Sequence, residues 1–451
     1  MTEHRPPADE KTSPFAPEAS RAAADPATAP DPDGPLRLFE GFGVELEYMI
    51  VRRDSLNVAP ICDELMARAG SSDEVESEIS VENGIAWSNE LVLHVLEMKT
   101  DGPAPTLNRL ADHFQASVKK ANGMLEGLGA CLMPGAMHPW MDPLKETKLW
   151  PHENTDVYRT FDRIFDCKGH GWSNLQSTHI NLPFQGPEEF GRLHAAVRLI
   201  LPLIPALAAS SPIFGGHVTT RLDNRLDAYR NNCRRIPSVT GAVIPEPIFD
   251  PETYRRDILK QMWSDVSPLD PEGVLRHEWL NARGAIARFT RGSIEIRIMD
   301  IQECPKADLA IVNAIVGAIW CLVEENLCPY EDQKTISTGV LADVLMRAID
   351  AGPKALVFNP GYLSVLGCRD RTLWTLEDIW AHLLEFAGLD IDENASGIDA
   401  GTTAVLRHIH RRGPLATRIL RAVGKTPAAE HIRDVYRELC LCLDEGRIFD
   451  A

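Results

Sequence analysis

The chain has 451 residues, 44% hydrophobic and 25% charged, a composition typical of a globular protein with room for one large or two medium domains. A formal net charge of −19 argues against nucleic acid or an anionic membrane as partner, because both need basic faces. Its ten cysteines form no CxxC pair, so neither a zinc cage nor a secreted disulfide framework is indicated and reduced thiols are expected.

Residues 1–36 are rich in Pro, Ala, Asp and Glu and do not resemble a signal peptide. They hold too little apolar surface to offset ordering entropy, so a disordered tail is expected. The apolar runs at 199–209 and 309–323 read as too short to cross a bilayer, and a cytoplasmic protein is expected.

"GVELEYMIV" (43–51) reads as a strand. Side chains alternate, so Glu45 and Glu47 share one face, with Val44, Leu46 and Tyr48 on the other. A solvated strand face and a site for a hard cation explain the two acids equally well. "ICDELMARAG" (61–70) reads as a helix stopped by Gly70.

"NELVLHVLEMKT" (89–100) places Glu90, His94 and Glu97 on one face if it is helical. If it is a strand, Glu90 and Glu97 fall on opposite faces unless a bulge intervenes. A helix follows over 107–129, and "ACLMPGAMHPW" (130–140) reads as a strand running into a loop.

"QSTHIN" (176–181) reads as a strand with Gln176 and Thr178 on one face and His179 and Asn181 on the other. A lone histidine is more often structural than a ligand. The long apolar helix over 191–212 must bend or break at Pro202 and Pro205, which lack the N–H a helix interior requires.

"RFTRGSIEIRIMD" (288–300) repeats the pattern of 43–51, with Glu295 and Arg297 facing Ile294, Ile296 and Ile298 across the strand. A same-face ion pair is the plain reading. A metal-binding carboxylate beside a guanidinium that meets a phosphate or carboxylate is the functional one. Arg283, Arg288 and Arg291 cluster nearby. A second long helix spans 306–327. Residues 330–451 are mainly helical, with breaks expected at 359–362 and 394–403.

No GxxxxGK[ST] occurs, and no GxGxxG follows a strand. A bound nucleotide would be held by metals and arginines. The segments together describe one sheet with acids, a histidine and arginines on a shared face.

In this order and spacing, "GFGVELEYMIV", "NELVLHVLEMKT", "MPGAMHPW", "QSTHINLPF", "LPLIPALAASSPIFGG" with "RLDAYR", and "GSIEIRIMD" resemble the carboxylate–amine ligases of the glutamate–cysteine ligase type. The likeness is to their type-2 branch, related to glutamine synthetase, over roughly residues 40–325. The resemblance implies an α+β fold: a curved, mainly antiparallel sheet with helices on the convex side and the active site on the concave face. It implies a tail over 1–36, a catalytic domain over 37–328 and a helical region over 329–451.

It further implies ATP-dependent amide formation through an acyl phosphate, with Mg²⁺ as cofactor (one or more ions, Mn²⁺ as substitute). The substrates are ATP, a glutamate-like carboxylate and cysteine or another amine; a homo-oligomer is left open. By resemblance Glu45, Glu47, Glu97 and Glu295 are metal ligands. Glu90, Arg283 and Arg297 are catalytic, and His179, Gln176, Arg288 and Arg230 contact ATP or substrate. The chain departs from many type-2 members in reading "STHIN" where they read His-Val-His. A binding-only relative and a phosphotransferase of the same broad fold are the competing readings.

Overall fold

The alternation in "GVELEYMIVR" is realised as strand β1 (Gly43–Arg52). Val44, Leu46, Tyr48 and Ile50 are fully buried on its core side. The computed structural model describes residues 34–70, 75–389, 391 and 400–451. The expected tail lies outside the described residues except for its last three, as does most of the expected break at 394–403.

Eight strands form one sheet. They are β1, β2 (Glu78–Ser80), β3 (Ile85–Asn89), β4 (Val95–Thr100), β5 (Ala130–Met133) and β6 (Ser177–Pro183). A small separate hairpin, β7 (Ile213–Phe214) and β8 (His217–Val218), precedes the last two, β9 (Ala285–Arg288) and β10 (Ser293–Asp300). The order is β2-β3-β4-β1-β6-β10-β9, with β5 also on β1, and every pairing is antiparallel. β1 is the pivot: it pairs with β4 over Glu45–Met49, with β6 over Gly43–Leu46 and with β5 over Met49–Arg52. A bulge between Ile296 and Met299 interrupts the β10–β6 register next to Arg297, and such bulges re-aim side chains.

The helices of eight or more residues are α1 (Cys62–Ala69), α2 (Leu110–Glu126), α3 (Thr155–Phe165), α4 (Gly186–Ile200), α5 (Pro305–Val323), α6 (Thr338–Ala351), α7 (Leu376–Phe386), α8 (Ala400–Arg412), α9 (Leu415–Val423) and α10 (Ala429–Glu445). The apolar segment after Gly191 breaks where its prolines fall. α4 ends at Ile200, a 3₁₀ turn spans Leu201–Leu203, and a short helix begins at Pro205.

α5 is longer than the apolar run at 309–323, because Pro305 sits in its first turn and starts it earlier. It is the one described helix long and apolar enough to span a bilayer by length and composition, which corrects the sequence expectation. In the fold 94% of that window is buried in protein. Leu46, Ile180, Ile294 and Ile296 on the sheet share one core with α2, α4 and α5. Burying each such side chain contributes about 1.5–3 kcal/mol.

The helical region beyond α5 packs on the sheet-bearing part. α7 and α8 cover α5, and α10 packs against β5 and α2. Met49, Val51 and Met133 form a smaller core with Leu415, Ile419, Ile432, Tyr436 and Leu439. Arg418 of α9 forms a fully buried ion pair with Glu303, three residues beyond β10. It also donates to the Phe449 carbonyl at 2.7 Å.

Removing one member of such a pair strands the other charge. Arg418→Met is expected to lower unfolding free energy by about 3–5 kcal/mol in urea titrations, and adding Glu303→Leu to restore part of it. A neutral single substitution would mean that the pair does not pin the C-terminal helices to β10.

Candidate active site

Strand register sets the acids in rows. On the face opposite the core, Glu47 pairs with Glu97 and Glu97 with Ser88. Two residues along, Glu45 stands between Lys99 on β4 and His179 on β6, and Asn181 pairs with Glu295. This face is not a wet one: Glu47 and Glu97 are each 7% exposed. Glu47 accepts from the Ser177 amide at 2.6 Å and its hydroxyl at 3.0 Å. Glu45 accepts from Asn181 Nδ2 at 2.9 Å and lies 2.9 Å from His179 Nδ1. Glu97 accepts from the Ser88 hydroxyl at 2.6 Å.

Residues 89–100 are neither one helix nor one strand. β3 ends at Asn89 and β4 begins at Val95. The connection between them brings Glu90 back beside Glu97, so the two acids converge although they stand seven positions apart in the chain. His94 goes elsewhere. It is fully buried, its Nε2 lies 2.7 Å from the Ser173 carbonyl, and burial pushes it down to about 4.

The charges divide into two halves. On the β4 side, burial and the neighbouring Glu47 and Glu97 push the Glu90 carboxyl well above its ordinary value. Burial and the charge of Glu45 lift Glu97 to about 7, against the pull of Lys99 and Ser88. On the β10 side, burial also disfavours charge on Glu295, but Arg297, His179 and Arg288 outweigh it and hold Glu295 at about 2. Glu45, between the halves, is raised by burial and drawn further down by its hydrogen bond to His179, ending below its ordinary value.

Ligand atoms of Glu45, Glu97 and His179 lie within 4.8 Å of one another, as do those of Glu47, Glu90 and Glu97. Glu97 belongs to both groups. Hard carboxylate oxygens suit Mg²⁺ or Mn²⁺, and among the described residues no guanidinium forms an ion pair with Glu45, Glu47, Glu90 or Glu97. The residues therefore fit a divalent cation. Glu295, the fourth acid expected to bind metal, belongs to neither group: Arg288 takes one oxygen at 2.6 Å and Arg297 the other at 2.6 and 2.9 Å.

A cavity of about 160 Å³ opens over this face. Glu47 and His179 line its floor, with Glu90, Trp172, Arg225 and Arg297 around it. Gln176 precedes β6, is fully buried, and does not line it. Nor does Arg283, which is locked to Glu246 at 2.6 and 2.7 Å. Arg230 is 38% exposed at its side chain and pairs with Asp227 at 2.9 Å.

Arg225, not Arg230, lines the cavity, with Tyr229 also in the lining. In the helix Asn224–Tyr229 these two lie at i and i+4, on one face. That spacing in "RLDAYR" was the available signal.

Residues 41–349 match the family described as Glutamate-cysteine ligase family 2 (GCS2). A protein of Archaeoglobus fulgidus described as uncharacterized is 34% identical over 314 residues, 70% of this chain and 80% of that protein. The glutamate–cysteine ligase of Francisella tularensis, solved in complex with AMP, superposes with a TM-score of 0.57 at 11% identity, over 89% of this chain and 88% of that one. A bifunctional glutathione synthetase of Pasteurella multocida superposes at 0.54 with 13% identity, over 89% of this chain and 52% of that one. At these identities the two structures establish a common fold.

Cation binding at Glu90 and Glu97 must displace protons that burial holds there. Mn²⁺ affinity, measured by calorimetry, is expected to rise between about pH 6 and about pH 8, approaching tenfold per unit where one proton is released. Glu97→Gln flattens the dependence. Affinity that does not change with pH would contradict the assignment. Glu295→Gln leaves Arg288 and Arg297 without their charged partner and is expected to lower stability by about 1–3 kcal/mol in urea titrations. No loss would contradict the pairing role.

Proposed function

The chain belongs to the Glutamate-cysteine ligase family 2, and on that premise we propose that it joins a carboxylate to an amine at the expense of ATP, with the γ-carboxylate of glutamate and the amine of cysteine as the pair. Family membership supports the ligase class. The observation that carries the reading in this chain is one small cavity lined by the acids Glu47 and Glu90 and by Arg297, with Glu97 grouped with the two acids and Arg288 sharing Glu295 with Arg297.

The chemistry needs both halves. A substrate carboxylate oxygen attacks the γ-phosphorus of ATP, the bond to ADP breaks, and an acyl phosphate forms. The amine nitrogen then attacks the acyl carbon, phosphate leaves and the nitrogen loses a proton. Phosphoryl transfer depends on charge neutralisation and in-line placement. Glu45, Glu47, Glu90, Glu97 and His179 would hold divalent cation. Bound there, Mg²⁺ supplies positive charge to the phosphate oxygens. Arg297 presents its guanidinium to the cavity and stabilises negative charge that grows as phosphate is transferred or released. Ser177 and Asn181 orient Glu47 and Glu45 through the hydrogen bonds given above.

ADP and inorganic phosphate measured in one reaction test the reading. Equal amounts are expected only when a carboxylate and an amine are both present. ADP without phosphate would indicate a phosphotransferase, and nucleotide binding without ADP a binding protein; either overturns the proposal. Glu47→Gln is expected to lower kcat/KM at least about 100-fold with the thermal midpoint unchanged. Undiminished turnover would contradict its role.

A further inference from the structure

All ten cysteines lie in the described residues, and nine of them are buried; Cys131, on β5, is half-buried. β5 alternates between two cores. Ala130 and Leu132 face the main core, while Met133 packs in the smaller one and Cys131 lies against it. The smaller core's other wall is α10, where Ile432, Tyr436 and Cys440 recur every fourth residue on one face. Cys440 is 8% exposed, and its thiol is hydrogen-bonded to that of Cys131. Two thiols far apart in the chain thus meet.

The meeting is held in place. Asn122 of α2 accepts from the Leu132 amide at 2.9 Å and donates to Asp444 Oδ1 at 2.9 Å. It therefore joins the residue after Cys131 to the residue one turn beyond Cys440. Gln115, also on α2, donates to the Leu443 carbonyl at 2.8 Å. Cys131 itself pairs with Val51 of β1. Neither element can slide past the other without breaking these bonds.

The two thiols are not equivalent. Arg53 donates from Nε to the Ala130 carbonyl at 3.0 Å, which puts a guanidinium beside Cys131. The hydrogen bond with Cys440 holds the Cys131 thiol below its ordinary value, and Arg53 adds to this against burial and the charge of Asp444. The same contact, with burial, pushes Cys440 well up, Arg437 opposing it. Nearby Cys442 is fully buried, and burial pushes it up to about 12. The thiolate is the reactive form, so reactivity gathers on the one sulfur that solvent reaches.

We infer that Cys131 and Cys440 are a redox-convertible pair, an oxidation site that a hydroperoxide closes into a disulfide joining the C-terminal helix α10 to β5. With hydrogen peroxide, the Cys131 thiolate attacks one oxygen and the O–O bond breaks, giving a sulfenic acid and hydroxide. Hydroxide takes up the proton that Cys131 gave away. The Cys440 sulfur then attacks the Cys131 sulfur, the S–O bond breaks, and water leaves with the Cys440 proton as the S–S bond forms. Two electrons pass from the sulfurs to the peroxide, which ends as two waters. An S–S bond of about 2.05 Å brings the sulfurs closer than a hydrogen bond does, a distance that side-chain rotation covers. The bond staples α10 to the strand that extends β1 beyond Glu45 and Glu47. This site is separate from the cavity, and the inference stands or falls without the ligase reading.

Reduced full-length protein, freed of reductant, is treated with hydrogen peroxide under native conditions, blocked with N-ethylmaleimide and digested without reduction. The Cys131 and Cys440 peptides are expected joined, lighter by two hydrogens than the pair, and parted by dithiothreitol. Free thiols counted in denaturant fall by two from ten. The cross-link closes a long loop and is expected to raise the thermal midpoint by at least about 3 °C. Cys440→Ser leaves the sulfenic acid unresolved, so dimedone labels Cys131; Cys131→Ser gives neither product. In the unaltered protein, peroxide that leaves ten thiols, joins Cys131 to another cysteine or to a second copy, or carries Cys131 to the sulfinic acid with Cys440 still free overturns the inference, even if the variants do not fold. So does a cross-link that leaves the midpoint unchanged.

Discussion

Several carboxylates are buried together on one sheet face, and the rest of the structure answers to that constraint. Like charges out of water repel strongly and lose their hydration. They stay together only on a scaffold that cannot slip. β1 supplies it, with three partner strands along its length and a core face of Val44, Leu46, Tyr48 and Ile50. A one-residue shift would drive Glu45 and Glu47 into that core. Apolar burial on one side therefore fixes the placement of charge on the other. The C-terminal helices add to this by closing over β5 and α5 and by pinning Glu303.

The acids are not treated alike. Glu295 is compensated by Arg288 and Arg297, and Glu45 by His179 and Asn181. Glu47, Glu90 and Glu97 have hydroxyl and amide donors, with Lys99 3.5 Å from Glu97 and His179 3.6 Å from Glu47. A group of acids with no guanidinium paired to them, beside an acid held by two, is what the proposed site for a metal-bound anion requires. On the proposed ligase reading one half attracts the cation, and the other meets the anion it carries.

Period-two and helical patterns made most of the scaffold legible in the sequence: β1, β10, α2 and the break at Pro202 and Pro205 all follow from local physics. So did the facing of Glu45, Glu47, Glu295 and Arg297. What local pattern could not supply was pairing across distance. The resemblance makes Glu295 a metal ligand, and nothing in "GSIEIRIMD" reveals that Arg288, on the neighbouring strand, takes its second oxygen. Residues 89–100 fitted two periodicities because they contain a strand end, a connection and a strand start. Arg283 and Gln176 are polar residues near the right segments, but Glu246 captures the first and the core encloses the second. Nothing local separates Arg225, buried in the cavity lining, from Arg230, whose exposure only the folded helix discloses.

On the proposed reading the acid half of this face binds divalent cation beneath a nucleotide. A crystal structure with ADP and Mn²⁺, phased to show anomalous scattering from manganese, tests it most directly. Manganese is expected bound to Glu97 together with Glu47 and Glu90 or with Glu45 and His179, with the ADP phosphates against it on the Arg297 side. Nucleotide bound elsewhere, or manganese absent from these acids, would contradict it.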